Sequence, residues 1–222
     1  MKILVLVISG GECPIYNKNK ELLQTNTHPL VTTRFIEYSQ SVSEITLIDD
    51  TLLLPGSESL KLITYKTIDS IEYFLSDKSF THVIRTNLSS VWHFPRLIAY
   101  LETREKTRLF TGIIGDTGKN SFVSGAGMYM SRDIAEILIK YKKTAFICPY
   151  QDDVAISYTL RDLGVNITPS QNRIDLITPE LFNTNKHSIP RNIHHFRLKQ
   201  EGDRSLEPEF MKELIELIPK MI

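Results

Sequence analysis

Residues 2–8, KILVLVI, form a nearly continuous β-favouring run. A strand with one solvated face would alternate apolar and polar positions, so this one is expected inside a sheet covered on both sides. Residues 44–48 offer another short strand, followed by Asp49, Asp50 and the turn-forming LLLPGSES. From about 60 to 74, Leu62, Ile63, Ile68, Ile71 and Tyr73 recur at helical spacing. HVIR at 82–85 returns to a strand, and FPRLIAYLE at 94–102 places Leu97, Ile98 and Leu101 on one helix face.

The second half keeps the rhythm less regularly. RLFTGIIG at 108–115 and AGMYMS at 126–131 read as strands separated by a polar connection. Ser131 is placed to cap a helix carrying Ile134, Ile137, Leu138 and Tyr141. A helix over 153–163 presents Ile156, Leu160 and Leu163 on one side and ends at Gly164; FMKELIELI at 210–218 gives a last amphipathic helix. The Pro-, Asn-, Ser- and Thr-rich interval 168–190 reads as an irregular excursion within one domain. Alternating strands and helices predict an α/β fold with a covered central sheet.

Charge narrows the partners. The 222 residues carry 26 Lys plus Arg against 26 Asp plus Glu. A general nucleic-acid or anionic-membrane binder would be expected to show a broad basic surplus, so neither partner is expected. Cys13 and Cys148 permit one disulfide, and neither belongs to a CxxC redox or zinc arrangement. No stretch approaches about 18 uninterrupted apolar residues, so no transmembrane segment is expected. The opening run lacks a convincing small-residue cleavage site and reads as a strand, not an export signal, making a cytoplasmic protein the expectation.

Candidate chemistry gathers in SGAGMYMSR at 124–132 and PYQDDVAISYTLRDLGV at 149–165. Ser124, Gly125, Ala126 and Gly127 let backbone approach a ligand where larger side chains would fill the space. Asp152 and Asp153 open the predicted helix and admit two readings. Both can serve the helix N-terminus, or one caps it while the other accepts a proton from a substrate hydroxyl.

Other segments each have a ligand-facing reading and a solvated one. Gly10 and Gly11 follow the first strand without completing GxGxxG. Asp49 and Asp50 are either a grip on a ligand or a plain turn. Residues 181–200 hold no acid but carry Lys186, Arg191, Arg197 and Lys199 with His187, His194 and His195. Strand alternation puts His195, Arg197 and Lys199 on one side. Arg85 ends a strand where it can reach an anion; Trp92 and His93 read as a sugar-facing wall or as packing anchors.

The segments KTIDSIEYF, THVIRTNLSS, NSFVSGAGMYMSRD and QDDVAISYTLRDLG, in that order, resemble nucleotide-sugar-dependent glycosyltransferases of the GT-A fold. The nearest group is the β-1,3-glycosyltransferase and Fringe-like enzymes with related viral or bacterial ones. The likeness spans about residues 58–165. It implies a single GT-A-like domain with a mixed, mostly parallel sheet. It also implies transfer of a monosaccharide from a nucleotide diphosphate sugar to a carbohydrate hydroxyl, with inversion. By the same resemblance Asp153 is the catalytic base and Asp152 the second candidate. Gly10, Gly11, Lys66, Arg85, Asn87, Ser124, Gly125, Gly127, Arg197 and Lys199 face the donor.

The chain departs from that group at the metal motif. Where the group has Asp-any-Asp, this chain has Asn87 and Ser89, whose oxygens are neutral. Mg2+ or Mn2+ would rest on Asn87, Ser89 and His195, and metal dependence stays open. The same departure keeps a catalytically degenerate nucleotide-sugar or glycan-binding protein as an alternative. A sugar nucleotidyltransferase is a third reading, from the strand-first order, although no Gly-rich triphosphate loop is present.

Overall fold

Ile3, Leu4, Val5 and Leu6 are all buried, which fits the uninterrupted apolar run they belong to. The computed structural model describes residues 1–10, 13–116, 121–150 and 152–221, so Gly11 lies outside the described residues. The chain opens with β1 (Ile3–Ile8), α1 (Pro14–Thr25), β2 (Val31–Ser39), β3 (Thr46–Ile48) and β4 (Thr51–Pro55). It continues through α2 (Ile63–Phe74), β5 (His82–Asn87), β6 (Ser90–Trp92), α3 (Phe94–Glu102), β7 (Phe110–Asp116) and β8 (Ser121–Ser131). Next come α4 (Arg132–Lys140), α5 (Lys142–Ile147), α6 (Asp152–Asp162), β9 (Thr168–Pro169) and β10 (Arg173–Asp175). The chain closes with α7 (Pro179–Asn185), β11 (His195–Arg197) and α8 (Glu207–Leu217).

Among the described residues, eight strands form one sheet in the order β3-β4-β2-β1-β5-β8-β7-β9. β1 runs parallel to β2 and β5, β2 to β4, and β7 to β9, while β3–β4, β5–β8 and β7–β8 are antiparallel. A smaller sheet, β10-β11-β6, stands beside it. The result is the mixed, mostly parallel sheet with covering helices expected of a GT-A-like domain. The interval 168–190 holds β9, β10 and α7, and it is tied to the main structure because β10 pairs with β11.

Period-two alternation splits the interior into two cores. Ile3, Val5 and Val7 pack with Trp92, Leu97, Phe196 and the α8 residues Phe210, Met211 and Leu214. Leu4 and Leu6 face the other way, onto Ile68 and Ile71 of α2, Ile134 of α4 and Ile156 of α6. Each such side chain contributes about 1.5–3 kcal/mol when fully buried. With both faces sealed, the strand ends are left as the place for a site. β1 and β5 run parallel, in register from Ile3↔His82 to Ile8↔Asn87, so their carboxyl ends open at the same edge.

Candidate functional site

A cavity of about 550 Å3 lies at those carboxyl ends. Ile8, Ser9 and Gly10 line it after β1, and Asn87, Leu88 and Ser89 after β5. Ser124, Gly125 and Ala126 enter from antiparallel β8, and Asp152 and Asp153 from the start of α6. Lys66, Arg85, Arg197, Lys199 and Arg204 supply its positive charge, Glu58 a further carboxylate. Asp49 and Asp50 instead form the β3–β4 turn, with Gln24 donating to Asp50 Oδ2 at 3.0 Å.

The two aspartates are held differently. Asp152 has a left-handed backbone, φ +49°, and its N–H donates to Thr64 Oγ1 at 2.7 Å. Arg85 Nη2 reaches Asp152 Oδ2 at 2.5 Å, while Oδ1 is buried with no partner. Burial pushes the Asp152 carboxyl above the usual carboxylate range, and the Arg85 guanidinium opposes that rise. Asp153 is half-buried, and Gly125 N–H donates to its Oδ2 at 2.8 Å. One carboxylate is therefore spent on a fixed counter-ion, while the other is oriented by a backbone donor at the cavity wall.

Gly125 is the joint of this arrangement. Arg85 Nη1 donates to its carbonyl, and a Cβ there would collide with the guanidinium and lie 3.1 Å from Asp152 Oδ2. Ser124 Oγ accepts from Arg173 Nη1 at 3.1 Å. Ser157 Oγ, one helical turn into α6, accepts from Val123 N–H at 3.0 Å and locks α6 onto β8.

On the β1 side, Lys66 is almost wholly enclosed. Its Nζ donates to Ser9 O at 2.7 Å and to both Glu58 oxygens at 2.6 Å. Burial lowers the Lys66 pKa against the pull of Glu58. The ammonium thus braces the Ser9–Gly10 edge, and Glu58, absent from the sequence expectations, is the more accessible partner of the pair.

Two expected residues lie elsewhere. His195 is buried and stacked on Trp92, ring centroids 4.0 Å apart and 10° between planes, with Nε2 3.0 Å from Ser90 Oγ. Burial holds it well below the usual histidine pKa, hence neutral. At Gly127, a Cβ would meet His195 Cε1 at 2.5 Å and Nδ1 at 2.6 Å, so the missing side chain makes room for a core ring. Trp92 and His93 are packing anchors, both buried. Cys13 and Cys148 are free thiols.

The residues at the departed metal motif are already engaged. Asn87 Oδ1 accepts from Ser89 N–H at 3.1 Å and Ser90 Oγ at 3.2 Å. Ser89 Oγ donates to Glu207 Oε2 at 2.9 Å and accepts from Arg204 Nη2 at 2.8 Å. Both oxygens are neutral, and each already has its partners within the chain. This donor set does not fit Mg2+ or Mn2+. Among the described residues, no group of three or more His, Cys, Asp or Glu side chains is placed to hold a metal.

No protein-family model matches the chain, and no curated protein matches it. The structure is similar to the crystal structure of a glycosyltransferase involved in the glycosylation of the major capsid of PBCV-1, with a TM-score of 0.57 at 12% sequence identity. That likeness covers 96% of this chain and 100% of the other, and it places the two in the same broad fold. Among the described residues, no helix is long and apolar enough to cross a membrane.

Proposed function

We propose that this protein transfers a monosaccharide from a nucleotide diphosphate sugar to a carbohydrate hydroxyl, with inversion at the anomeric carbon. The carrying observation is that Asp153, oriented by Gly125 N–H, shares one cavity with the basic wall of Arg197 and Lys199. The likeness of fold to a glycosyltransferase adds to it.

In this reading the donor lies along the strand ends, its nucleoside beside the Ser9–Gly10 edge and its diphosphate toward the basic wall. Asp153 takes the proton of the acceptor hydroxyl as that oxygen bonds to the anomeric carbon. The bond from that carbon to the diphosphate oxygen breaks on the opposite face. Its electron pair leaves with the nucleoside diphosphate, and the cations stabilise the charge that develops. Arg85 serves a positioning role. By pairing with Asp152 it holds that carboxylate in a fixed ion pair and leaves Asp153 as the acid that faces the acceptor.

The test combines a panel of nucleotide diphosphate sugars and carbohydrate acceptors with product analysis by NMR. Transfer with the anomeric configuration inverted is expected. Retention would overturn the single-displacement course. Donor binding without transfer across the panel would favour the binding-protein alternative.

A further inference from the structure

We infer that a fixed organic clamp, Arg204 with Arg197 and Lys199, binds a nucleoside diphosphate without any divalent cation. This rests on the reading of the cavity as a donor site and names the chemistry that holds the donor there. Neither Arg204 nor its partner Glu207 carries a motif, and they meet the metal-motif position only through the fold.

Arg204 is held as rigidly as a bound ion. Its Nε donates to Glu207 Oε1 at 2.5 Å and its Nη2 to Glu207 Oε2 at 2.8 Å. Nη1 donates to Tyr16 Oη at 2.7 Å, and the guanidinium lies 4.9 Å from the centre of the Tyr16 ring. Glu207 is fully buried and also accepts from Asn19 Nδ2 at 3.3 Å and Gln200 N–H at 3.0 Å. The fifth partner, Ser89 Oγ, stands where the resembled enzymes have a metal-binding carboxylate. α1, the segment after β5 and the start of α8 therefore converge to fix one guanidinium at the cavity wall.

The charges match the ligand. Arg173 Nε pairs with Asp175 Oδ1 at 2.6 Å, and Arg197 Nη1 shares the same carboxylate at 3.6 Å. Glu207 balances Arg204, and Lys199 is exposed with no ion pair among the described residues. Asp175 is shared between two arginines and Lys199 has no acid of its own among the described residues, so this wall carries an excess of positive charge, opposite in sign to a diphosphate. The same Arg197, Lys199 and Arg204 border a neighbouring cavity of about 510 Å3, where Glu201 lies, so the clamp is open from two sides. Arg204 spends four of its five N–H groups on Glu207, Tyr16 and Ser89, so it offers the ligand a fixed positive charge and one remaining Nη1 donor.

The experiment is calorimetric titration of UDP, GDP, ADP and CDP, with the matching monophosphates, into the full chain in EDTA and in excess Mn2+. At least one diphosphate is expected to bind in EDTA within about threefold of its affinity in Mn2+, and its monophosphate about tenfold or more weaker. Lys199→Gln, at an exposed position that does not endanger folding, is expected to weaken the diphosphate about tenfold and the monophosphate little. Arg204→Lys keeps the charge but cannot span Glu207, Tyr16 and Ser89 at once, so the cation is no longer fixed at the cavity wall, and it is expected to show the same selective loss. Binding that improves tenfold or more with Mn2+ would overturn the metal-free clamp and leave the transferase reading standing. Parent-like diphosphate affinity in both variants would also overturn it. Diphosphate binding in EDTA with no sugar transfer would support the clamp and remove only the transfer reading; no diphosphate binding in either condition would remove both.

Discussion

Arg85 Nη2 lies 2.5 Å from Asp152 Oδ2, a pair 67 positions apart in sequence that ties the carboxyl-terminal half of strand β5 to the first turn of helix α6. Neither partner is far from the cavity, yet both are largely enclosed, with side chains 5% and 18% exposed. The pair fixes Asp152 at the cavity wall, while its neighbour Asp153 is held by Gly125 N–H.

Removing the cation should expose the cost of that acid. Arg85→Met leaves a buried carboxylate without its counter-ion, a loss of about 3–5 kcal/mol in urea unfolding at neutral pH. The raised Asp152 pKa means the native state holds its proton more tightly than the unfolded chain, so the deficit should shrink as pH falls through that raised value. Arg85→Met with Asp152→Asn should recover most of the stability at neutral pH. Equal stability of Arg85→Met and the parent would show that the pair contributes nothing.

Gly125 and Gly127 should separate site from core. An alanine at 125 meets Arg85 and Asp152, whereas one at 127 meets the His195 ring. Gly125→Ala is expected to lower transfer about tenfold or more through the displaced ion pair, with donor affinity less affected. Gly127→Ala is expected to cost about 1–3 kcal/mol of stability, the usual range for overpacking. Thermal unfolding and initial rates on both variants check this; parental transfer by Gly125→Ala, or parental stability of Gly127→Ala, would refute it.

Buried histidines predict an acid-labile fold. His82, His93, His194 and His195 are all enclosed, and burial lowers the pKa of each; His194 is brought down to about 3. A depressed histidine pKa leaves stability intact above the unfolded value near 6.5 and erodes it as pH falls toward the folded value, by about 1.4 kcal/mol per histidine per pH unit. Urea unfolding between pH 7.5 and 4.5 should show this decline, and His194→Gln should flatten it by one residue's share. A flat parent profile across that range would contradict the assignment.

How far the sequence reveals this molecule depends on where the apolar signal is concentrated. β1 is plain because every inward position is aliphatic, and α6 was expected at 153–163 and spans Asp152–Asp162. α1, PIYNKNKELLQT, buries only Asn19 and Leu23, and VTTRFIEYS of β2 mixes threonine, charge and aromatics, so neither shows a clean period. The expected strand at 44–48 is the edge strand Thr46–Ile48, and β8 begins at Ser121, five residues before the expected start, inside a polar-looking connection. Ser131 does stand before α4, but its hydroxyl donates to Asp133 Oδ1 and accepts from Leu109 N–H instead of capping the helix.

The site divides in the same way. The small residues of SGAG and the acids of QDDV announce themselves locally. Ser89 and Glu207 are 118 positions apart, and no local pattern connects them. The only local sign was an Arg and a Glu three residues apart in RSLEP, a spacing that surface helices use constantly. His195 misleads for the converse reason: strand alternation gives its side but not which side faces the core.

Single-turnover transfer by Asp153→Asn tests the central claim most directly. Asparagine keeps the shape and can still accept the Gly125 N–H bond, but it cannot take a proton at neutral pH. With donor and acceptor saturating, the account predicts native folding, donor affinity within about threefold of the parent and transfer slower by at least about 10²-fold. Near-parental transfer by the folded variant would contradict it and leave Asp153 as a helix-start residue without a chemical role.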